Sequence, residues 1–491
     1  MCREYDLVCP LYFPPYAWGL KNRHMAIKKR KTAELDIIDL AFGGKGIAKP
    51  DGFPVFVDRT LPGDKALVRI TKKKKKYAEG KLIDLIEPSP LRQEAPCDYA
   101  GYCGGCRWQA LPYAKQLEYK KNHVTESLEH IALLKDIPVK DVVPSDQIFE
   151  FRNKMEFSCT DRRWLTPEDL EDPDIIKGFG LGLHVPGTFA HVIDIKKCHI
   201  QPDLGNQILG DIREYIKTSG LPAYGLTTHQ GFWRFVMLRC SSAHGHWMVN
   251  LVTKEENDAV LIPLAEKLMA TYPQITSVVN NVTAKKAGVA TGEYEKVLGG
   301  ERCIREKLGD FTFEVSANSF FQTNTRGAEK LYSLVSHYAA LTGTEHVIDL
   351  YSGTGTIPIW LSRDAARVTG IEIVESAVAD AGRNATLNGI ENCTFHVGDI
   401  KTVLPEIDKR CDVMIIDPPR VGMHKDVVDQ VINIAPAKIV YVSCNPATLA
   451  RDLFMLKEHY NVIEVQPVDM FPHTFHIESV ALLELKSKGA S

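Results

Sequence analysis

One cysteine near the C-terminal end of the chain carries the most explicit chemistry. In Val442-Ser443-Cys444-Asn445-Pro446-Ala447-Thr448-Leu449 an apolar run, Ala437 to Val442, meets a thiol, then turn residues, then a helix start. That order predicts a strand end presenting Cys444 at the mouth of a sheet. In an open parallel sheet ligands gather outside the carboxyl ends of the strands, and a thiol held there is a candidate nucleophile. Such a nucleophile needs a proton acceptor facing the same pocket. Glu478, in His473-Thr474-Phe475-His476-Ile477-Glu478-Ser479, is the candidate base. It opens an apolar strand, Val480 to Leu483, where an unpaired carboxylate is costly. His473 and His476 are weaker candidates that would orient their neighbours.

A second constellation points to a nucleoside cofactor. Asp349-Leu350-Tyr351-Ser352-Gly353-Thr354-Gly355-Thr356 puts a glycine-rich turn after a predicted strand, where a ligand can approach the backbone closely. The next predicted strand ends in Gly370-Ile371-Glu372, and an acid there can accept hydrogen bonds from both ribose hydroxyls. The third glycine of the dinucleotide fingerprint is missing, which favours a cofactor without pyrophosphate, S-adenosylmethionine. Ile415-Ile416-Asp417-Pro418-Pro419-Arg420 ends a further strand and holds an acid and a rigid loop over that cofactor. Enzymes that methylate exocyclic amines carry an aromatic after the two prolines. Arg420 stands there instead, and Cys444 follows one strand later. Both differences point to methylation at carbon through a covalent adduct.

Carbon 5 of uracil fits that chemistry. It is a poor nucleophile until a thiolate adds to carbon 6, after which it can attack a sulfonium methyl. A base must then remove the carbon 5 proton so that the thiol is expelled. The target base has to leave its stack first. Ser319-Phe320-Phe321-Gln322-Thr323-Asn324 precedes the glycine turn. An aromatic there is a candidate to stack on the flipped base or on adenine, with core packing the alternative for Phe321, and Gln322 is a candidate to hydrogen-bond the cofactor.

These groups need several folded units to position them. At 491 residues the chain exceeds a single core. Residues 1–24 are read as an extension that lacks the apolar core of a signal peptide. Residues 25–89 alternate short strands with Gly43-Gly44-Lys45-Gly46, Pro50-Asp51-Gly52 and Leu61-Pro62-Gly63-Asp64 turns, which predicts a small OB-like barrel of about five strands. Residues 90–318 predict an α+β domain with a helix over Tyr113 to Leu133 and an acidic surface insertion over Thr166 to Asp174. Residues 319–491 alternate strands and helices, which predicts a Rossmann-like, doubly wound α/β sheet.

The net charge of −3 conceals an asymmetry. Between Lys21 and Lys81, 17 Lys and Arg stand against 7 Asp and Glu, so the rest of the chain is strongly acidic. Lys28-Lys29-Arg30-Lys31 and Lys72 to Lys76 flank the predicted barrel, the electrostatic footprint of a polyanion such as RNA. Twelve cysteines in so long a chain do not make a disulfide scaffold. Cys97, Cys103 and Cys106 cluster as C-x5-C-x2-C, and Cys198 is the natural fourth ligand. Spacing alone accommodates either zinc or an iron–sulfur cluster.

Taken together, Phe320 to Asn324, Asp349 to Gly355, Asp417 to Arg420, Ser443 to Pro446 and His476 to Glu478 resemble the RNA 5-methyluridine methyltransferases, specifically the bacterial 23S ribosomal RNA uracil-5-methyltransferases. The resemblance runs from about Lys31 to Leu485. It implies a TRAM domain for the barrel, S-adenosylmethionine contacts at Gln322, Tyr351, Glu372 and Asp417, Cys444 as nucleophile and Glu478 as base. It also implies a [4Fe–4S] cluster on Cys97, Cys103, Cys106 and Cys198, with a structural or RNA-positioning role. The expected partner is RNA, with 23S ribosomal RNA first and transfer RNA second. A non-catalytic RNA-binding protein with an inactive methyltransferase domain is disfavoured by the full set of acids and thiol. No apolar run approaches the ~18–20 residues needed to span a bilayer. A cytoplasmic monomer is expected.

Overall fold

The computed structural model describes residues 27–487 apart from 189, 287, 289, 408 and 409. The extension over residues 1–24 lies outside the described residues. From Ile27 onward, a six-stranded barrel is built on a core of Leu35, Ile37, Val55, Val57, Val68 and Ile70. The run Glu34 to Leu40 makes two strands rather than one, Thr32–Asp36 and Asp39–Leu40. Between them Ile37 bonds to Asp64 and Gly63, and Ile38 N–H then donates to Ile47 O. The chain thus changes partners at a barrel corner. Exchange of partners, invisible to periodicity, gives the sixth strand.

The middle of the chain forms a seven-stranded sheet whose central strands are Lys154–Thr160, Trp233–Cys240, Trp247–Thr253 and Ile275–Val282. Its pairings are antiparallel except that between Trp247–Thr253 and Ile275–Val282. Helix Asp258–Thr271 supplies the crossover that this parallel pair requires. With Asp203–Thr218 it covers one face of the sheet.

The C-terminal sheet contains, in chain order, His346–Leu350, Arg367–Glu372, Cys393–Val397, Val413–Ile416, Lys438–Ser443, Tyr460–Val468 and Glu478–Leu485, here β1 to β7. Their spatial order is β3-β2-β1-β4-β5-β7-β6. The first five are mutually parallel, whereas β7 runs antiparallel between β5 and β6. A nine-residue loop joins β6 to β7, too short for a parallel crossover, so β7 must reverse. The wholly apolar β4 and most of β5 are buried, as expected when helices cover both faces.

The helix Tyr113–Ser127, here α1, continues into a π turn, Leu128–Ala132. It packs with the C-terminal sheet: Val124, Leu128 and Ala132 share a core with Leu449, Leu453 and Ile477. The segment after it lies along β6 through bridges Val139–Val465 and Val143–Val468. Among the described residues, no helix is long and apolar enough to cross a membrane.

Candidate active site

The edge formed by the carboxyl ends of β1, β4 and β5 gathers most of the groups singled out above. After β1 the chain turns through Tyr351, Ser352, Gly353, Thr354 and Gly355. Tyr351 has φ 70°, a region that L side chains seldom occupy. The backbone N–H groups of Tyr351 and Ser352 both donate to Ile371 O at 3.0 Å, which bends the turn back toward β2. At Gly355, φ is +79° and an added Cβ would fall 2.8 Å from the Ala381 methyl, so only glycine closes the turn against helix Glu375–Leu387. Gly353, also at positive φ, has open space where a side chain would stand. Glu372, at the end of β2, accepts from Gly353 N–H at 3.1 Å and Val374 N–H at 2.9 Å, which fixes its carboxylate over that space.

Asp349 is the residue that sequence reasoning passed over. It sits in the middle of β1, 1% exposed, and neither carboxylate oxygen has a hydrogen-bond partner. Burial, then Asp417 and Glu372, raises its pKa well above the carboxylate range. Buried polar groups are ordinarily satisfied, so two orphaned oxygens mark a place for a donor. Two buried carboxyl groups, Asp349 and Asp417, with Glu372 beside them, favour a ligand that carries positive charge, as a sulfonium with an ammonium does. The signal was available: an acid inside an otherwise apolar parallel strand.

Cys444 and Glu478 meet through strand register. Ser443 on β5 pairs with Ser479 on β7. The next residues outward on these antiparallel strands are Cys444 and Glu478. Burial pushes the Cys444 thiol up to about 12, helped by Glu478 and Asp417 and opposed by Arg420. Burial and then Asp417 push Glu478 up to about 8, again opposed by Arg420. Asp417 itself rises to about 7 through burial. Asn445 caps helix Pro446–Leu456 through Ala447 N–H, and its Nδ2 donates to Arg420 O at 3.2 Å. Thr448 Oγ1 donates to the same oxygen at 3.2 Å. The cysteine loop and the Asp417–Arg420 loop are therefore stitched together.

The remaining expected residues divide. Thr354 Oγ1 donates to Phe320 O at 3.0 Å, and Asn153 Nδ2 donates to Gln322 O at 3.0 Å, so the segment carrying Gln322 borders the glycine turn. The Gln322 side chain makes no hydrogen bond among the described residues. Phe321 does not face the site: it is 4% exposed and packs against Phe313. The exposed aromatic is Phe320, at 69%. Burial lowers His473 to about 4 and His476 to about 3, so both rings are neutral near pH 7. His473 is a packing hub, stacked on Phe149 at 4.4 Å, with its carbonyl oxygen accepting from Arg107 and Trp108 N–H.

Among the described residues, no group of three or more His, Cys, Asp or Glu stands in metal-binding geometry. Cys97, Cys103, Cys106 and Cys198 are all free thiols. They are nevertheless close enough to act on one another: burial first, then Cys198, Cys106 and Cys97, raises Cys103. Main-chain N–H groups point at the sulfurs, Gly105 N–H to Cys103 Sγ at 3.4 Å among them.

The strand order and the groups along this edge define a class I S-adenosylmethionine-dependent methyltransferase. Comparison with known proteins narrows the class. The tRNA (uracil-5-)-methyltransferase family model matches residues 403–486, a TRAM domain matches residues 27–83, and a general methyltransferase domain matches residues 347–433. An uncharacterized RNA methyltransferase of Chlorobaculum tepidum is 41% identical over 478 residues, covering 95% of this chain and 99% of that protein. Another, of Porphyromonas gingivalis, is 39% identical over 464 residues, covering 91% and 99%. The tRNA (uracil-54, C5)-methyltransferase of Pyrococcus abyssi, solved with S-adenosyl-L-homocysteine, superposes with a TM-score of 0.72 at 31% identity, covering 92% of this chain and all of that one. The chain belongs to the S-adenosylmethionine-dependent RNA uracil-5-methyltransferase family.

Proposed function

We propose that this protein methylates carbon 5 of a uridine in 23S ribosomal RNA, with Cys444 as nucleophile and Glu478 as base. The observation that supports this reading is the β5–β7 register, in which Cys444 and Glu478 follow the paired Ser443 and Ser479 at the carboxyl end of β5. When bound, S-adenosylmethionine supplies an electrophilic methyl group. Asp349, Glu372 and Asp417, with Tyr351 and Gln322 around the turn, would hold it.

The chain's own groups do the rest. The Cys444 thiol releases its proton to solvent, and the sulfur bonds to carbon 6. The C5=C6 electron pair moves onto carbon 5 and the oxygen of carbon 4, and carbon 5 takes the methyl group. Glu478 then accepts the carbon 5 proton, the double bond re-forms, and the S–C6 bond breaks to free Cys444. Two acids and a thiol in one desolvated pocket cannot all be charged, so the resting site keeps Cys444 protonated and Glu478 largely so. Glu478 acts as base only once it has lost its own proton. A transcript with 5-fluorouridine at the target offers no carbon 5 proton, so it should stay bonded to the protein; a freely dissociating transcript, given methyl donor and activity on the ordinary transcript, would exclude the covalent route.

Cys97, Cys103, Cys106 and Cys198 are further proposed as the ligands of a [4Fe–4S] cluster in a structural role, with no step of the reaction routed through it. The support is the C-x5-C-x2-C spacing with Cys198 as the fourth thiol, and the Gly105 N–H turned toward Cys103 Sγ at 3.4 Å. Iron and acid-labile sulfide in the anaerobically purified protein test this, and zinc alone would overturn it. A transfer RNA target is the second reading, supported by what the Pyrococcus abyssi enzyme acts on. Mapping 5-methyluridine in ribosomal and transfer RNA from cells with and without the protein decides between them.

A further inference from the structure

The site described so far makes no use of the buried polar face of α1. Gln116, Lys120 and His123 follow one another at helical spacing and are all enclosed. Lysine is almost never fully buried unless paired. Lys120 Nζ lies 2.6 Å from Asp469 Oδ1, and both side chains are 0% exposed. The same ammonium donates to Phe471 O at 3.0 Å. Asp469 Oδ1 also accepts from Phe471 N–H at 3.0 Å, and Asp469 N–H donates to Val143 O at 2.9 Å. One turn earlier on the helix, Gln116 Oε1 accepts from His473 N–H at 2.8 Å.

These bonds grip the first half of the loop that joins β6 to β7. That loop ends at Glu478, with Ile477 buried in the core shared with α1. Replacing a buried ion pair by apolar side chains of similar volume is often neutral for stability. Stability alone therefore does not account for Lys120; what the ammonium adds is one defined loop path.

We infer that Lys120 is a positioning residue for Glu478: by clamping Asp469 and the Phe471 carbonyl to α1, it sets where the carboxylate stands relative to carbon 5 of the ring held by Cys444. The inference rests on the reading of Glu478 as base. Its consequence is selective. Loosening the clamp leaves thiol addition and methyl transfer in place and slows proton removal, so the methylated adduct accumulates. Misplacing a catalytic group by an ångström can cost about a hundredfold.

The test uses full-length Lys120→Met and Lys120→Met/Asp469→Leu. The double variant removes both partners, so no unpaired carboxylate is left in the core. Each is incubated with S-adenosylmethionine and total RNA from cells lacking the protein. Product is counted, and the RNA-bound protein band is measured on a denaturing gel beside the parent and Glu478→Gln. The expected result is turnover lowered about tenfold or more in both variants, with an adduct band several times the parental one. Lowered turnover without adduct, while Glu478→Gln does accumulate it, makes Lys120 merely structural and overturns the inference. Parental turnover in the folded double variant also overturns it. If Glu478→Gln yields no adduct, the assigned base falls, and the inference falls with it.

Discussion

On the proposed cofactor side of the C-terminal sheet, the groups other than Gln322 lie on a parallel strand or in the loop directly after it: Asp349 and Tyr351 at β1, Glu372 at β2, Asp417 at β4. On the opposite side, Glu478 opens an antiparallel strand delivered by a hairpin, and it reaches Cys444 only because β7 is inserted beside β5 in one register. The first arrangement is local, since a short motif at a strand end suffices. The second depends on strand order and on a loop clamped by a helix more than 340 residues upstream. A register slip of one residue would turn Glu478 to the opposite face of the sheet. The cofactor side thus tolerates change elsewhere in the chain, while the base side is exposed to it.

The largest effect that separates the two sides comes from Cys444→Ala. Methylation should vanish while S-adenosylmethionine still binds, because no cofactor-side group is touched. Retained turnover with labelled methyl donor would end the covalent reading. Glu478→Gln should lower turnover by about 10²–10⁴, the usual contribution of a positioned base, and leave RNA bonded to protein on a denaturing gel. A drop without adduct would move the base to another residue.

Glu478 also predicts a signature that needs no substrate. Its pKa is about 8 in the fold against 4.5 ordinarily, so the folded state holds the proton more tightly than the unfolded chain. The penalty for a charged Glu478 is absent below about pH 4.5 and complete above about pH 8, accruing by at most about 1.4 kcal/mol per pH unit between them. Glu478→Gln, which cannot ionise, should therefore melt with the parent at pH 4 and above it at pH 9. Coincident melting temperatures at both pH values would show that Glu478 is not desolvated in solution.

On the proposed cofactor side, Asp349→Asn should weaken S-adenosylmethionine binding about tenfold, or about 1.4 kcal/mol, because the amide cannot ionise to meet a positively charged ligand. RNA affinity should not follow. Calorimetric titration with the cofactor alone measures the effect, and equal affinity would leave the orphaned oxygens to ordered water.

What could be read before folding follows the same division. Strands β1 to β5 and the turns after them were legible, because period, glycine and proline all act within a few residues. The reversal of β7 was not, since it follows from loop length and from β6, a strand whose mixed sequence hides its pattern. Phe321 and Phe320 could not be told apart: adjacent aromatics differ only in which one meets Phe313. The polar face Gln116, Lys120, His123 carried a signal, three polar residues on the face that also holds Val124. Nothing within α1 reveals that Lys120 meets Asp469, Gln116 meets His473 and His123 meets Leu40 O.

The smallest expected effect concerns the barrel, where the five-lysine run divides in two. Lys72 pairs with Glu79 at 2.9 Å, and Lys73 donates to Ile27 O at 2.6 Å while lying over the Phe53 ring. Both serve the barrel itself. Lys74, Lys75 and Lys76 stand exposed at the tip of the hairpin between Lys65–Lys73 and Ala78–Glu87. Neutralising these three removes phosphate contacts without touching the barrel's own bonds. Each phosphate contact contributes about 0.7 to the slope of log affinity against log salt on single strands. The triple glutamine variant should therefore bind RNA with a slope about two units shallower, converging with the parent as salt rises. An unchanged slope would assign the polyanion to Lys28, Lys29 and Lys31, whose segment runs beside the Ile70 to Lys73 end of the same strand pair.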